Sequence, residues 1–221
     1  MVLQSCFSSR EEKAAAFDAV DIYPVISSEF TLGRPVVEIF EAVAAGGAKI
    51  VQLREKNKGM KYLYELAVAC RPIANRYGIL LMIDDHVDVA LAANADGVHL
   101  GQDDLPVPVA RAIAPGLWLG NSTHNLEEAL AAKAAGADCI NIGPLFPTQT
   151  KEVGCSPLGL ETMKQVAAQI ELPFSVMGGI KARHIPELVR SGAKHIAMVT
   201  EITQAPDVAA KVRELRALFR C

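Results

Sequence analysis

The chain has 221 residues, of which 51% are hydrophobic and 21% charged, with 22 basic against 25 acidic side chains and a net charge of −3. That length and apolar content supply a sizeable α/β core and argue against disorder, and the slight acidity argues against general nucleic-acid binding, which needs dense positive charge. The five cysteines are scattered, with no Cys-x-x-Cys pair, and neither a signal-peptide run nor a membrane-spanning run stands out, so a cytoplasmic protein away from membranes is expected.

Residues 10–19 are rich in Ala and Glu and predict a helix on the outside or bottom of the domain. Residues 21–27 predict a first strand, and a helix follows over 35–45 with Pro35 in its first turn. The second strand covers 48–53 and runs into Arg54-Glu55-Lys56. A long amphipathic helix over 61–77 precedes the third strand, 79–83, an unbroken apolar run that stops at Asp84 and Asp85. A short helix over 86–93 leads to the fourth strand, 97–100, which ends before Asp103 and Asp104.

The second half continues in the same alternation. It reads as helix 106–113, strand 117–121, helix 125–135 and strand 139–142. A long loop over 143–157 follows, then helix 158–170, strand 174–177, helix 185–190, strand 195–199 and helix 206–219. Eight strands alternating with helices predict a (β/α)8 TIM barrel over about 21–221, with residues 1–20 as a helical extension and 1–221 as one domain. An internal echo supports closure: Gly47-Ala48-Lys49, Asn94-Ala95-Asp96, Gly136-Ala137-Asp138 and Gly192-Ala193-Lys194 each precede an even-numbered strand. A doubly wound open sheet would carry a glycine-rich fingerprint after strand one, where Ser27-Ser28-Glu29 stands instead.

In a parallel barrel the strand C-termini share one rim, where ligands bind. The acids after strands three and four would repel one another there unless a cation sat between them, and such oxygen ligands suit Mg²⁺ together with substrate phosphates. Gln52, Arg54 and Lys56 alternate, so they share one side of an extended strand, and the two cations suit a di- or triphosphate. Thr148, Thr150 and Lys151 in the long loop after strand six offer a phosphate cradle to the same charged site. Gly178-Gly179 after strand seven and Val199-Thr200 after strand eight predict a neutral, backbone-lined monophosphate site. Ser122 can donate to a phosphate oxygen. His99, inside an apolar strand, is expected to be a satisfied barrel residue, and His124, at a helix start, a capping or solvated one; neither is expected to be a catalyst. Two phosphate sites of this kind fit an enzyme joining a diphosphate substrate to a phosphorylated acceptor.

These motifs together resemble the thiamine-phosphate synthase family. The resemblance rests on Val51-Gln52-Leu53-Arg54-Glu55-Lys56, Asp85 with Val87-Asp88, Asp96 through Gln102, Gly143-Pro144 through Lys151, and Gly178-Gly179-Ile180. It implies that Gln52, Arg54 and Lys56 bind an aminopyrimidine diphosphate, that Asp85 and Asp104 hold Mg²⁺, and that Ser122 and Lys151 contact the diphosphate. It implies that Thr148, Thr150, Gly179, Val199 and Thr200 bind the thiazole phosphate. The implied reaction releases diphosphate as the thiazole nitrogen takes the pyrimidine methylene, with small-molecule partners and no protein nucleophile; a homo-oligomer is compatible.

Four residues at three places depart from the family's pattern. Asp84 stands where the family usually has a substrate-binding Asn, Ser27-Ser28 where it often has Thr-Asp, and Thr200 where it more often has Ser. Two rivals stay open: a thiazole tautomerase on the same barrel, which would not need the diphosphate-binding set, and a non-catalytic sensor of thiamine precursors.

Overall fold

The computed structural model describes residues 3–148, 150 and 156–220. In chain order the elements are α1 (Arg10–Asp18), β1 (Ile22–Ile26), α2 (Val36–Ala45), β2 (Ile50–Leu53), α3 (Met60–Tyr77) and β3 (Leu80–Asp84). Then come α4 (Val87–Ala92), β4 (Gly97–Leu100), α5 (Val107–Ile113), β5 (Trp118–Thr123), α6 (Leu126–Ala134) and β6 (Cys139–Ile142). The chain continues through α7 (Gly159–Ala167), β7 (Phe174–Val176), α8 (Ile185–Arg190), β8 (His195–Met198), α9 (Thr200–Thr203) and α10 (Val208–Ala217). Each strand pairs in parallel with the next, and β8 pairs with β1, so the sheet is a closed (β/α)8 barrel. Parallel pairing needs a crossover between successive strands, which the helices supply.

The two-residue period of a strand divides the core in two. Tyr23, Ile50, Leu80, Met82, Trp118, Cys139 and Ala197 pack with Phe17 and Val20 in the lumen. The alternate residues, among them Val51, Leu81, Ile83, Val98, Leu119, Ile140 and Ile196, pack with Phe40, Leu63 and Leu66 of the surrounding helices. The lumen is closed at its foot by α1: Phe17 is fully buried, its ring centre 5.7 Å from Trp118 and 4.5 Å from His195. The segment around α1 is strapped in place by Ser5 on Asp96, Arg10 on Asp138, and the Lys13 ammonium donating to the Gly116 carbonyl at 2.7 Å. The expected position on the outside or bottom thus resolves as the bottom.

Two copies of the internal echo do one job. The Asp96 carboxylate accepts the Leu81 N–H at 2.6 Å while the Asp96 N–H donates to the Leu81 carbonyl at 2.8 Å. Asp138 clamps Leu119 in the same way, at 2.7 and 2.8 Å. Each aspartate is met by an arginine from an outer helix, Arg71 of α3 at 2.7 Å and Arg111 of α5 at 2.6 Å.

Two elements differ from the sequence reading. β5 runs past the expected end at Asn121, because its ladder with β6 continues through Ser122↔Asn141 and Thr123↔Ile142. The four-residue α9 falls between the expected strand 195–199 and helix 206–219; one helical turn is too short for a 3.6-residue period to register. None of the described helices is long and apolar enough to cross a membrane.

Candidate active site

The C-terminal ends of β2, β3, β4 and β5 border a cleft of about 530 Å³ lined by Gln52, Arg54, Lys56, Asp84, Asp85, Asp104 and Ser122. Strand alternation places Gln52, Arg54 and Lys56 on it and turns Glu55 away. Glu55 is buried and accepts from the Ser28 N–H and hydroxyl, both at 2.7 Å. Ser28 therefore secures the exit of β2, and neither Ser27 nor Ser28 lines the cleft.

Three of the four acids converge, whereas Asp103 is exposed and lies off the cleft. Asp84, the last residue of β3, is buried, and its Oδ2 stands 3.4 Å from both Arg54 Nε and Lys56 Nζ. That oxygen makes no hydrogen bond among the described residues. Burial pushes the Asp84 carboxyl up, against the pull of Lys56 and Arg54. Asp85 has φ of 61°, a left-handed conformation unusual for a side-chain-bearing residue, and pairs with the Lys56 ammonium. Asp104 is tied by the Gly101 N–H donating to its Oδ2 at 2.6 Å. Burial raises the Asp104 carboxyl, and so does its hydrogen-bonding contact with Asp85. For Lys56, burial works downward but Asp84 and Asp85 more than offset it, so the ammonium is held more firmly than usual.

β4 and β5 bring His99 and Ser122 together, with Nε2 and Oγ 3.0 Å apart. Asn141 of β6 also lines the cleft and donates to Ser175 Oγ at 2.7 Å.

A second pocket adjoins, lined by Thr148, Thr150, Gly178, Gly179, Lys181, Val199 and Thr200 among others. The start of the long loop is zipped onto the β7 exit by Leu145 N–H to the Met177 carbonyl, 2.8 Å, and Phe146 N–H to the Gly178 carbonyl, 3.0 Å. Glycine is required twice there. Gly178 and Gly179 have φ of 101° and 61°, and a Cβ would come within 2.4 Å of Pro144 and 2.3 Å of the Pro147 carbonyl. The site is not the neutral, backbone-only one expected: Lys181 and Glu201 both line it, 3.2 Å apart. Thr148, Thr150 and Ser122 also border a third hollow with His124, so the cleft and the second pocket adjoin through shared walls. His124 itself is a helix-start residue, its Nδ1 2.8 Å from Glu128 Oε2.

Every expected site residue that is described thus lies in this connected region, while Lys151 lies outside the described residues. Tyr23, Asn141 and Lys181 also face it without having been singled out by sequence, and so does His99, expected only as a satisfied barrel residue. Tyr23, His99 and Asn141 carried a signal, a polar group at lumen-facing parity in an otherwise apolar strand. Lys181 carried only its place two residues after Gly179. Among the described residues no three or more His, Cys, Asp or Glu side chains form a metal shell. Asp85 and Asp104 form a two-carboxylate set, which is the number Mg²⁺ takes when substrate phosphates complete its coordination.

A sequence profile described as thiamine monophosphate synthase matches residues 22–202. A thiamine-phosphate synthase of Pelotomaculum thermopropionicum is 44% identical over 200 residues, covering 90% of this chain and 92% of that protein. One from Chloroflexus aurantiacus is 41% identical, covering 89% and 91%. The solved thiamine phosphate pyrophosphorylase of Pyrococcus furiosus superposes with a TM-score of 0.85 at 34% identity, covering 92% of this chain and 97% of that one. A 3-hexulose-6-phosphate synthase structure, at 21% identity and a TM-score of 0.63, shares the fold. With its profile match spanning most of the barrel and relatives of this similarity along nearly the whole length, the chain belongs to the thiamine monophosphate synthase family.

Proposed function

We propose that this protein condenses 4-amino-2-methyl-5-pyrimidinylmethyl diphosphate with thiazole phosphate, giving thiamine phosphate and diphosphate. The observation that carries the reading is the convergence of Arg54, Lys56, Ser122, Asp85 and Asp104 on one cleft beside the glycine-lined pocket. An electron-rich aminopyrimidine can support positive charge on its methylene, so C–O cleavage can run ahead of attack, and the charge to be stabilised is on the departing diphosphate. Arg54 and Lys56 meet that charge, Ser122 donates to it, and Gln52 lies deeper on the same strand face toward the pyrimidine. Lys151 is assigned to the diphosphate by family resemblance. Asp85 and Asp104 would hold Mg²⁺, which when bound would neutralise charge on the leaving group. Thr148, Thr150, Gly179, Val199 and Thr200 take the thiazole phosphate and hold the ring nitrogen in line with the methylene, so positioning supplies much of the rate. Asp84 borders the diphosphate site. A cytoplasmic setting fits the scattered thiols.

The tautomerase alternative leaves Arg54, Lys56 and the two carboxylates without a purpose. The sensor alternative leaves an acceptor-phosphate pocket beside the diphosphate cleft unexplained. The test is incubation with both substrates and Mg²⁺, reading diphosphate and thiamine phosphate. Equal amounts of the two, lost on chelation, are expected. Tautomer conversion without diphosphate release, or tight binding without product, would overturn the reading.

A further inference from the structure

We infer that His99 is a positioning residue: it donates from Nε2 to Ser122 Oγ and so turns the serine's own proton toward the leaving diphosphate. The inference rests on the reading of Ser122 as a diphosphate ligand. A hydroxyl has one proton to give, and a phosphate oxygen only accepts. If Ser122 serves a phosphate, its other partner must donate to it. That partner is His99 Nε2, 3.0 Å away, on a buried ring that also borders the cleft. With the opposite arrangement the serine proton would be spent on the imidazole, and Oγ would turn a lone pair toward an anion.

The neighbouring strand is built around this ring. Gly120 is the cross-strand partner of His99. A Cβ on Gly120 would stand 2.4 Å from His99 Nδ1 and 3.2 Å from its Cε1, so the imidazole occupies the space that any larger residue would claim. Ser122 follows Gly120 by two and faces the same side, which brings the hydroxyl to the far nitrogen of the ring. Its carbonyl is separately held by Gln102 Nε2 at 2.5 Å, fixing the backbone from which the hydroxyl swings.

The experiment is a double-mutant cycle on the full chain with Mg²⁺. His99→Gln, His99→Leu and Gly120→Ala are each made with Ser122 present and with Ser122→Ala, and kcat and KM for the pyrimidine diphosphate are measured. Gln can place an amide donor near the Nε2 position, Leu removes the donor, and the added methyl of Gly120→Ala displaces the ring while keeping it. With Ser122 present, His99→Leu and Gly120→Ala should lower kcat about tenfold, and His99→Gln should recover most of the loss. On the Ser122→Ala background all three should change kcat less than about twofold, since there is no hydroxyl left to aim. Equal losses on both backgrounds, or full kcat in His99→Leu, would overturn the inference while leaving the synthase reading standing. Full kcat in Ser122→Ala alone would remove the premise, and absence of product from the unmodified protein would remove the synthase reading itself. Calorimetry with inorganic diphosphate and Mg²⁺ gives the same cycle without turnover. His99→Leu should weaken binding only where Ser122 is present, and thermal melts report whether each variant folds.

Discussion

At Asp84 a buried carboxylate oxygen, without a hydrogen bond among the described residues, stands 3.4 Å from the two cations assigned to the diphosphate. Its negative charge opposes a second anion in the same cleft and competes for Arg54 and Lys56. Asp84→Asn is therefore expected to hold or lower KM for the pyrimidine diphosphate; a loss of more than about tenfold in kcat/KM would instead give the carboxylate a role of its own. Lys181 poses the complementary case. Its ammonium adds positive charge to the pocket proposed for the acceptor phosphate, partly offset by Glu201 at 3.2 Å. Lys181→Ala should raise KM for thiazole phosphate by about 3- to 10-fold, consistent with loss of a partly exposed charge contact, with KM for the other substrate unchanged. A rise in both would place Lys181 elsewhere in the cycle. Gln52, Arg54 and Lys56 were legible in sequence because alternation fixes the side of a strand. Lys181 was not, because the direction of a side chain leaving a glycine turn depends on the turn's dihedrals.

The strands and their linking motifs carry a second layer of information. The Ala-Asp echo before β4 and β6 was visible as repetition, but its purpose was not. The carboxylate and N–H of one residue together clamp both backbone groups of a leucine in the strand before, and an outer-helix arginine completes the arrangement. Asp96 and Arg71 are both fully buried. Asp96→Ala should cost about 3–5 kcal/mol, since it strands a buried guanidinium, and chemical denaturation will measure it. A cost under about 1 kcal/mol would mean that Arg71 finds other partners. The barrel itself was readable from apolar runs of strand length alternating with helical periods. The extra residues of β5 were not, because Ser122 and Thr123 are polar, and only pairing with β6 marks them as strand. That extension is what fixes the backbone under the Ser122 hydroxyl.

Across the whole molecule, stabilising and reactive features separate to opposite ends. At the foot, Phe17 fills the lumen against Trp118 and His195, and Phe17→Ala should cost about 3–5 kcal/mol while leaving KM values unchanged. His195 Nδ1 is 2.6 Å from the Val20 carbonyl, so that nitrogen carries the proton of a neutral ring. Burial lowers the His195 pKa below its ordinary value of 6.5, with the Val20 bond opposing. The unfolded chain then binds the proton more readily than the folded one, so stability is complete above the ordinary value and declines as pH falls below it. Melting temperature should drop in that acidic window, and His195→Asn, which keeps a donor toward Val20 but does not titrate, should flatten part of the drop. An unchanged pH profile in the variant would assign the acid sensitivity to other groups.

The strap formed by Ser5, Arg10 and Lys13 has a practical meaning for anyone reshaping this catalyst. It ties residues 5–13 to the end remote from the cleft. Thermal endurance can accordingly be engineered at the base, by residue choices along the strap and the plug, without renegotiating the geometry that sets turnover. Conversely, a tag or fusion that pries the strap loose would shorten the protein's working life before altering which molecules it accepts.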